Sequence, residues 1–168
     1  AIEGITVYLS HSGQDFEYVL TANDYPAPAK HSPVSSDTVD DILVRYSFLE
    51  LDVESSQISI PKGSWRFDTY LKFPEGFSVY IEPGAKLTFS SEAGLLVRGA
   101  LKVNGTPEER VVFSGDIEKR WRGISVFKNK FWAPSESSYI HNADILGTTN
   151  TSFESWSLTG GVTFLESD

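Results

Sequence analysis

The chain of 168 residues contains no cysteine, which excludes a disulfide framework, a thiolate nucleophile and any zinc site built on sulfur. It also contains no methionine and begins at Ala1. A processed product or a piece of a longer chain is therefore expected, one from which any signal peptide has been removed, since the N-terminus shows neither a basic flank nor an apolar stretch. Basic residues are few: 14 Lys and Arg stand against 23 Asp and Glu, a formal charge of −9. A surface of that sign repels phosphate backbones and anionic lipid, which argues against nucleic acid or a membrane surface as partner. Apolar runs fall far short of the roughly 20 residues that span a bilayer, so no membrane insertion is expected. The three histidines, His11, His31 and His141, lack partners at the i+3 to i+5 spacings common in zinc sites, and no metal site or resident cofactor is expected. Gly-x-Ser-x-Gly turns and phosphate-cradling Gly-rich loops are missing as well.

What is present is an ordinary globular composition, 40% hydrophobic and 22% charged with 13 Gly and 8 Pro, in a chain long enough to bury a core. Ile5, Val7 and Leu9 alternate with polar positions, and a second β-rich run covers Phe16 to Leu20, which reads as a hairpin turning at Ser10 to Gly13. From Asn23 to Ser36 the residues Pro26, Pro28 and Pro33 remove ladder donors and favour an extended connector. Asp37 is placed to cap a helix in which Val39, Ile42, Leu43 and Tyr46 share one face. Residues 1–35 thus form a hairpin and a Pro-rich connector, and residues 36–168 a capping helix followed by strands. The other reading of residues 1–35 is the remnant of a separate preceding domain.

From about Ile58 short alternating strands are separated by Pro-Gly or Gly turns. Ile58-Ser-Ile-Pro-Lys-Gly63 is echoed by Leu71-Lys-Phe-Pro-Glu-Gly76, and Ile81-Glu-Pro-Gly84 follows. Val79 and Ile81 are matched by Leu101 and Val103 after 22 residues, and by Ile124 and Val126 after a further 23. In parallel, Leu87 and Phe89 are matched 24 residues later by Val111 and Phe113, with Leu95 and Val97 between them. By the same spacing Glu82, Asn104 and Phe127 take equivalent places, and Asn104 before Gly105 reads as a turn residue suited to left-handed backbone angles. Three short strands per repeat cannot close a core alone, so copies must stack and bury one another's inward side chains. The expected fold is all-β: a right-handed parallel β-helix, or solenoid, with a short N-terminal capping helix and an N-terminal β-hairpin. A β-sandwich is the competing arrangement, since its strands alternate too.

The runs Pro74-Glu-Gly76, Ile81-Glu-Pro-Gly-Ala-Lys-Leu87, Leu95-Leu-Val-Arg-Gly-Ala-Leu101, Asn104-Gly-Thr-Pro-Glu-Glu-Arg-Val-Val-Phe113 and Trp121-Arg-Gly-Ile124 give residues 58–168 a resemblance to right-handed parallel β-helix repeat proteins of the pectin-lyase-like kind. In particular it resembles exported bacterial members. That resemblance implies the first rungs of a β-helix truncated at the C-terminus, an extracellular or cell-surface location, and polysaccharide or cell-surface glycan as a partner. Lyases of this fold hold calcium with clustered carboxylates and use a basic residue to abstract a proton, and no dense carboxylate cluster is expected here. The expected function is a non-catalytic structural or carbohydrate-binding section of an exported β-helix protein. The alternative is the N-terminal part of a polysaccharide lyase or glycoside hydrolase whose active site lies in later rungs, with calcium a cofactor only in that case.

Three residues are candidates for glycan contact. Trp132, in a loop beside Phe131, offers a ring for stacking on a sugar, whereas Trp65 and Trp121 are expected to fill corners of the stack. Arg98 and Lys102 are expected on the outer face beside Tyr80, Glu82, Lys86 and Thr88, where they would meet a sugar acid or simply face solvent. His141 and Asp144 lie three apart on one expected strand and so point to opposite faces, which argues against a catalytic pair. Exposed final strands are expected to associate end to end with another copy.

Overall fold

A computed structural model describes residues 6–9, 18–21, 37–116, 119–127, 137–153, 156–158 and 160–165. The chain divides into two compact units, Ala1–Ser35 and Ser36–Asp168. In the first, β1 (Thr6–Leu9) and β2 (Tyr18–Thr21) pair antiparallel, with Leu9 opposite Tyr18. Phe16, the expected turn and the Pro-rich connector lie outside the described residues.

The second unit begins with α1 (Val39–Arg45). Its N-cap is Thr38, not Asp37: the Thr38 hydroxyl accepts from the Asp41 backbone N–H at 3.2 Å. The Asp41 carboxylate in turn accepts from the Thr38 backbone N–H at 3.4 Å, and also from the Thr38 hydroxyl at 2.6 Å, a capping box with aspartate as its acidic member. The Thr38 hydroxyl bond holds the Asp41 carboxyl below its ordinary range. A carboxylate with a depressed folded pKa contributes stability above its unfolded pKa and loses it as pH falls through the folded value. Thr38→Ala is expected to cost about 1 kcal/mol, with the difference from wild type shrinking in acid; urea titrations at neutral pH and near pH 3 check both.

The strands that follow form three parallel sheets, visited in fixed order. β4 (Gln57–Ile60), β5 (Ser64–Phe67) and β6 (Tyr70–Lys72) are succeeded by β7 (Ser78–Ile81), β8 (Lys86–Phe89) and β9 (Gly94–Val97). Then come β10 (Leu101–Asn104), β11 (Val111–Gly115) and β12 (Ile124–Phe127). The last set is β13 (Tyr139–His141), β14 (Ala143–Leu146) and β17 (Val162–Leu165), with the antiparallel hairpin of β15 (Thr151–Phe153) and β16 (Trp156–Leu158) inserted before β17. Each set of three pairs one-for-one with the set before it. The first sheet is β4, β7, β10, β13, the second β5, β8, β11, β14 and the third β6, β9, β12, β17. The short strand β3 (Glu50–Asp52) adds antiparallel to β4 at the edge of the first sheet. Among the described residues the second unit is thus predominantly β, mostly parallel, with one short helix.

One pair of sequence matches holds and two shift. Leu101 and Val103 stand opposite Val79 and Ile81 in the first sheet. Ile124 and Val126 do not continue that file: they pair with Leu95 and Val97 in the third sheet, and the first-sheet partner of Val103 is Ile140. In the second sheet Phe113 lies opposite Leu87, and Gly115 opposite Phe89, two residues out from the expected match. Asn104 pairs with His141 and not with Phe127; Asn104 ends a strand, and the left-handed backbone (φ 43°) belongs to Asn142.

Inward side chains of all three sheets meet in one core, with Ile58, Val79, Leu101, Leu87, Phe113, Leu71 and Leu95 wholly buried. Aromatic rings build a column through it: Phe67 stacks on Phe89 at 5.2 Å and Phe89 on Trp121 at 4.1 Å. The column continues above Phe89 because Gly115, which faces Phe89, has no side chain. The Trp121 ring approaches within 3.4 Å of where a Gly115 Cβ would sit. At the other end Tyr46 leans on Phe67 at 5.0 Å and Phe48 stacks on Trp65 at 4.2 Å. Ile42, Tyr46 and Leu49 belong to the same buried cluster, and Phe48 packs against it.

Candidate functional site

Because Val79, Ile81, Leu101 and Val103 point into the core, their neighbours Tyr80, Lys102 and Asn104 stand on the opposite, outer face of the first sheet. Parallel register then assembles residues distant in the chain. Ser59, Tyr80, Lys102 and Tyr139 occupy one line across β4, β7, β10 and β13. Asn104 and His141 are paired two residues further along. With strands about 4.8 Å apart, Lys102 sits between two tyrosines roughly 10 Å from each other. The Asn104 side-chain amide donates to the Tyr80 hydroxyl at 3.1 Å. The Tyr139 and His141 rings stack at 4.7 Å. All six side chains are partly or fully exposed. The face therefore combines flat aromatic surface with amide, hydroxyl, imidazole and ammonium groups.

Arg98 does not join this group. Arg98 follows β9 at the corner leading to β10 and ion-pairs with Glu75 at 3.9 Å. Trp132 lies outside the described residues. Trp121 and Trp65 serve the core instead: Trp121 is wholly buried and donates its indole N–H to the Leu146 carbonyl at 2.8 Å. Trp65 donates to the Pro61 carbonyl at 2.7 Å. His141 and Asp144 stand on different sheets, so the strand expected to carry both is in fact two.

The second sheet has a different outer chemistry. Arg66 bridges Asp68 and Asp116, at 2.8 and 2.9 Å. Lys62 reaches Glu109 across Gly84, and Arg110 grips Asp144 through two nitrogens at 2.9 and 2.6 Å. The Arg110 hydrogen bonds hold the Asp144 carboxyl below its usual range. These pairs are exposed, and each contributes at most a fraction of a kcal/mol. Their effect is to occupy Lys62, Arg66 and Arg110 on that face. Among the described residues no group of three or more His, Asp or Glu side chains is placed to hold a metal ion, and no helix is long and apolar enough to cross a membrane.

Tyr139 and His141 were hidden from sequence reasoning by the long interval before β13. The available signal was the repeated form of Tyr80-Ile-Glu82, Lys102-Val-Asn104 and Tyr139-Ile-His141, a polar or aromatic residue on each side of one buried aliphatic. Comparisons with protein-family models, curated proteins and solved structures return no match.

Proposed function

We propose that residues 36–168 are a section of a right-handed parallel β-helix of the pectin-lyase-like kind, from an exported, extracellular or cell-surface protein. In this reading it is a rigid, non-catalytic scaffold that presents its first-sheet face to a polysaccharide or cell-surface glycan. The observation that carries the reading is the one-for-one parallel pairing of successive strand triplets around a single core. Such an arrangement holds outward side chains at fixed intervals, which suits a repeating polymer better than a compact metabolite.

Glycan recognition draws on the amphipathic character of tyrosine, whose ring takes the C–H face of a sugar while its hydroxyl stays wet. Lys102, Asn104 and His141 add donors that satisfy sugar hydroxyls or a carboxylate. The test is retention on an array of neutral and acidic polysaccharides. Tyr139→Ala and Lys102→Ala are each expected to weaken retention about tenfold, the scale of an interface residue worth more than 1 kcal/mol, with far-UV circular dichroism unchanged. Retention equal to wild type in both variants, or no retention of the wild type by any glycan, would overturn the reading.

A further inference from the structure

We infer that Asn104 is a latent deamidation site, held inert by contacts from β13 and the residue after it, so that loosening of those contacts opens an irreversible chemical change on the outer face of the first sheet. Asn104-Gly105 is the one Asn-Gly step in the sequence, the pairing in which the following nitrogen is least hindered because glycine has no side chain. In the reaction the Gly105 backbone nitrogen gives its proton to hydroxide and attacks the Asn104 side-chain carbonyl carbon. A C–N bond forms there, the bond to the side-chain nitrogen breaks, and that nitrogen takes a proton from water and leaves as ammonia. Water then opens the cyclic imide at either carbonyl, giving aspartate or isoaspartate.

The fold opposes each requirement of this chemistry. The Gly105 N–H donates to the His141 carbonyl at 3.1 Å, which keeps the proton on the nitrogen. Ring closure needs that nitrogen swung towards the side chain, but Asn104 ends the extended strand β10 opposite His141, and extended backbone angles turn the nitrogen away. The Asn104 amide is drawn off to the Tyr80 hydroxyl at 3.1 Å, and the Asn142 side-chain amide holds the Gly105 carbonyl at 3.0 Å.

The same contact that suppresses the reaction demands the glycine. A Cβ at residue 105 would lie 2.3 Å from the Asn142 carbonyl oxygen, and that oxygen accepts from the Val111 N–H at 3.1 Å, so it cannot retreat without losing a bond. Gly105 is buried there. Once residue 104 has reacted, an amide donor has become a carboxylate, and isoaspartate adds a carbon to the backbone that moves Gly105 out of register with His141. The product therefore records that these contacts were lost. This chemistry is independent of whether the face binds a glycan.

The test is peptide mapping after incubation at neutral pH. The tryptic peptide Val103–Arg110 contains no asparagine or glutamine besides Asn104, so any amide-to-acid mass gain in it reports this residue. Conversion in the native protein is expected to be at least tenfold slower than in guanidinium chloride, the protection that a closed local structure gives. Asn142→Gly, which suits the left-handed backbone at that position (φ 43°) and removes the hold on the Gly105 carbonyl, is expected to accelerate native conversion about fivefold, roughly what one hydrogen bond is worth. Tyr80→Phe, which frees the Asn104 amide, is expected to act in the same direction. Thr38→Ala weakens the α1 cap and touches none of these groups, so the native rate should stay as in wild type. Native conversion as fast as in denaturant, wild-type rates in both Asn142→Gly and Tyr80→Phe, or equal acceleration by Thr38→Ala would each overturn the inference.

Discussion

Trp121→Ala is expected to lower the unfolding free energy by about 3–5 kcal/mol, the range for removing a large aromatic from a packed core. The side chain is wholly buried, and it fills the space above Phe89 that Gly115 leaves open. Truncation leaves a cavity lined by Phe89 and Phe113. It also strips the Leu146 carbonyl of its indole donor. Trp121→Phe separates the two contributions: the ring keeps its stack on Phe89 and loses only the N–H, so its cost should be well below that of alanine. Urea denaturation of the three proteins measures both differences. Equal stability of wild type and Trp121→Ala would show that the aromatic column does not hold the third set of strands to the second.

Introducing a carboxylate at the inward positions of β10 should have the next largest effect. Leu101→Asp and Val103→Asp each place a carboxylate in the shared hydrophobic core, and several kcal/mol are expected to be lost. Lys102→Asp, between them in the chain, stands on the outer face and should change stability by about 0.5 kcal/mol or less. Thermal unfolding followed by circular dichroism distinguishes the outcomes. Comparable losses at all three positions would mean that the inner and outer faces of the first sheet are wrongly assigned.

The alternation that predicts these two classes of residue was legible without coordinates, because a strand buried on one side writes its period of two directly into the chain. Longer-range placement was less so. Leu101 to Ile124 spans almost the same interval as Val79 to Leu101, yet it ends in a different sheet. The corners after β10 and β11 are longer than those after β7 and β8, so β12 falls where a regular spacing would put the next first-sheet strand. A matching interval identifies a repeat only while corner lengths stay constant. The Gly115 position shows the same limit at finer scale: a glycine gives no hint that a tryptophan six residues later takes its place in the column. The ligand face was half visible. Tyr80, Lys102 and Asn104 were readable as outward, whereas Tyr139 and His141 joined them only once β13 was seen to follow β10.

The end of the core where Tyr46 and Phe48 pack is also the end made from the earlier part of the second unit. Each strand of the second and third sets finds its sheet neighbour in the set just completed, so docking it closes a loop of only some two dozen residues, at a modest entropic cost. Order of synthesis and order of assembly therefore coincide. A chain delivered N-terminus first has Tyr46 and Phe48 seated before the third set exists, and every later segment arrives at a surface already prepared to receive it. Reversing the sequence of sets in a permuted chain would remove that advantage while preserving every native contact, and slower refolding of such a permutant would be its signature.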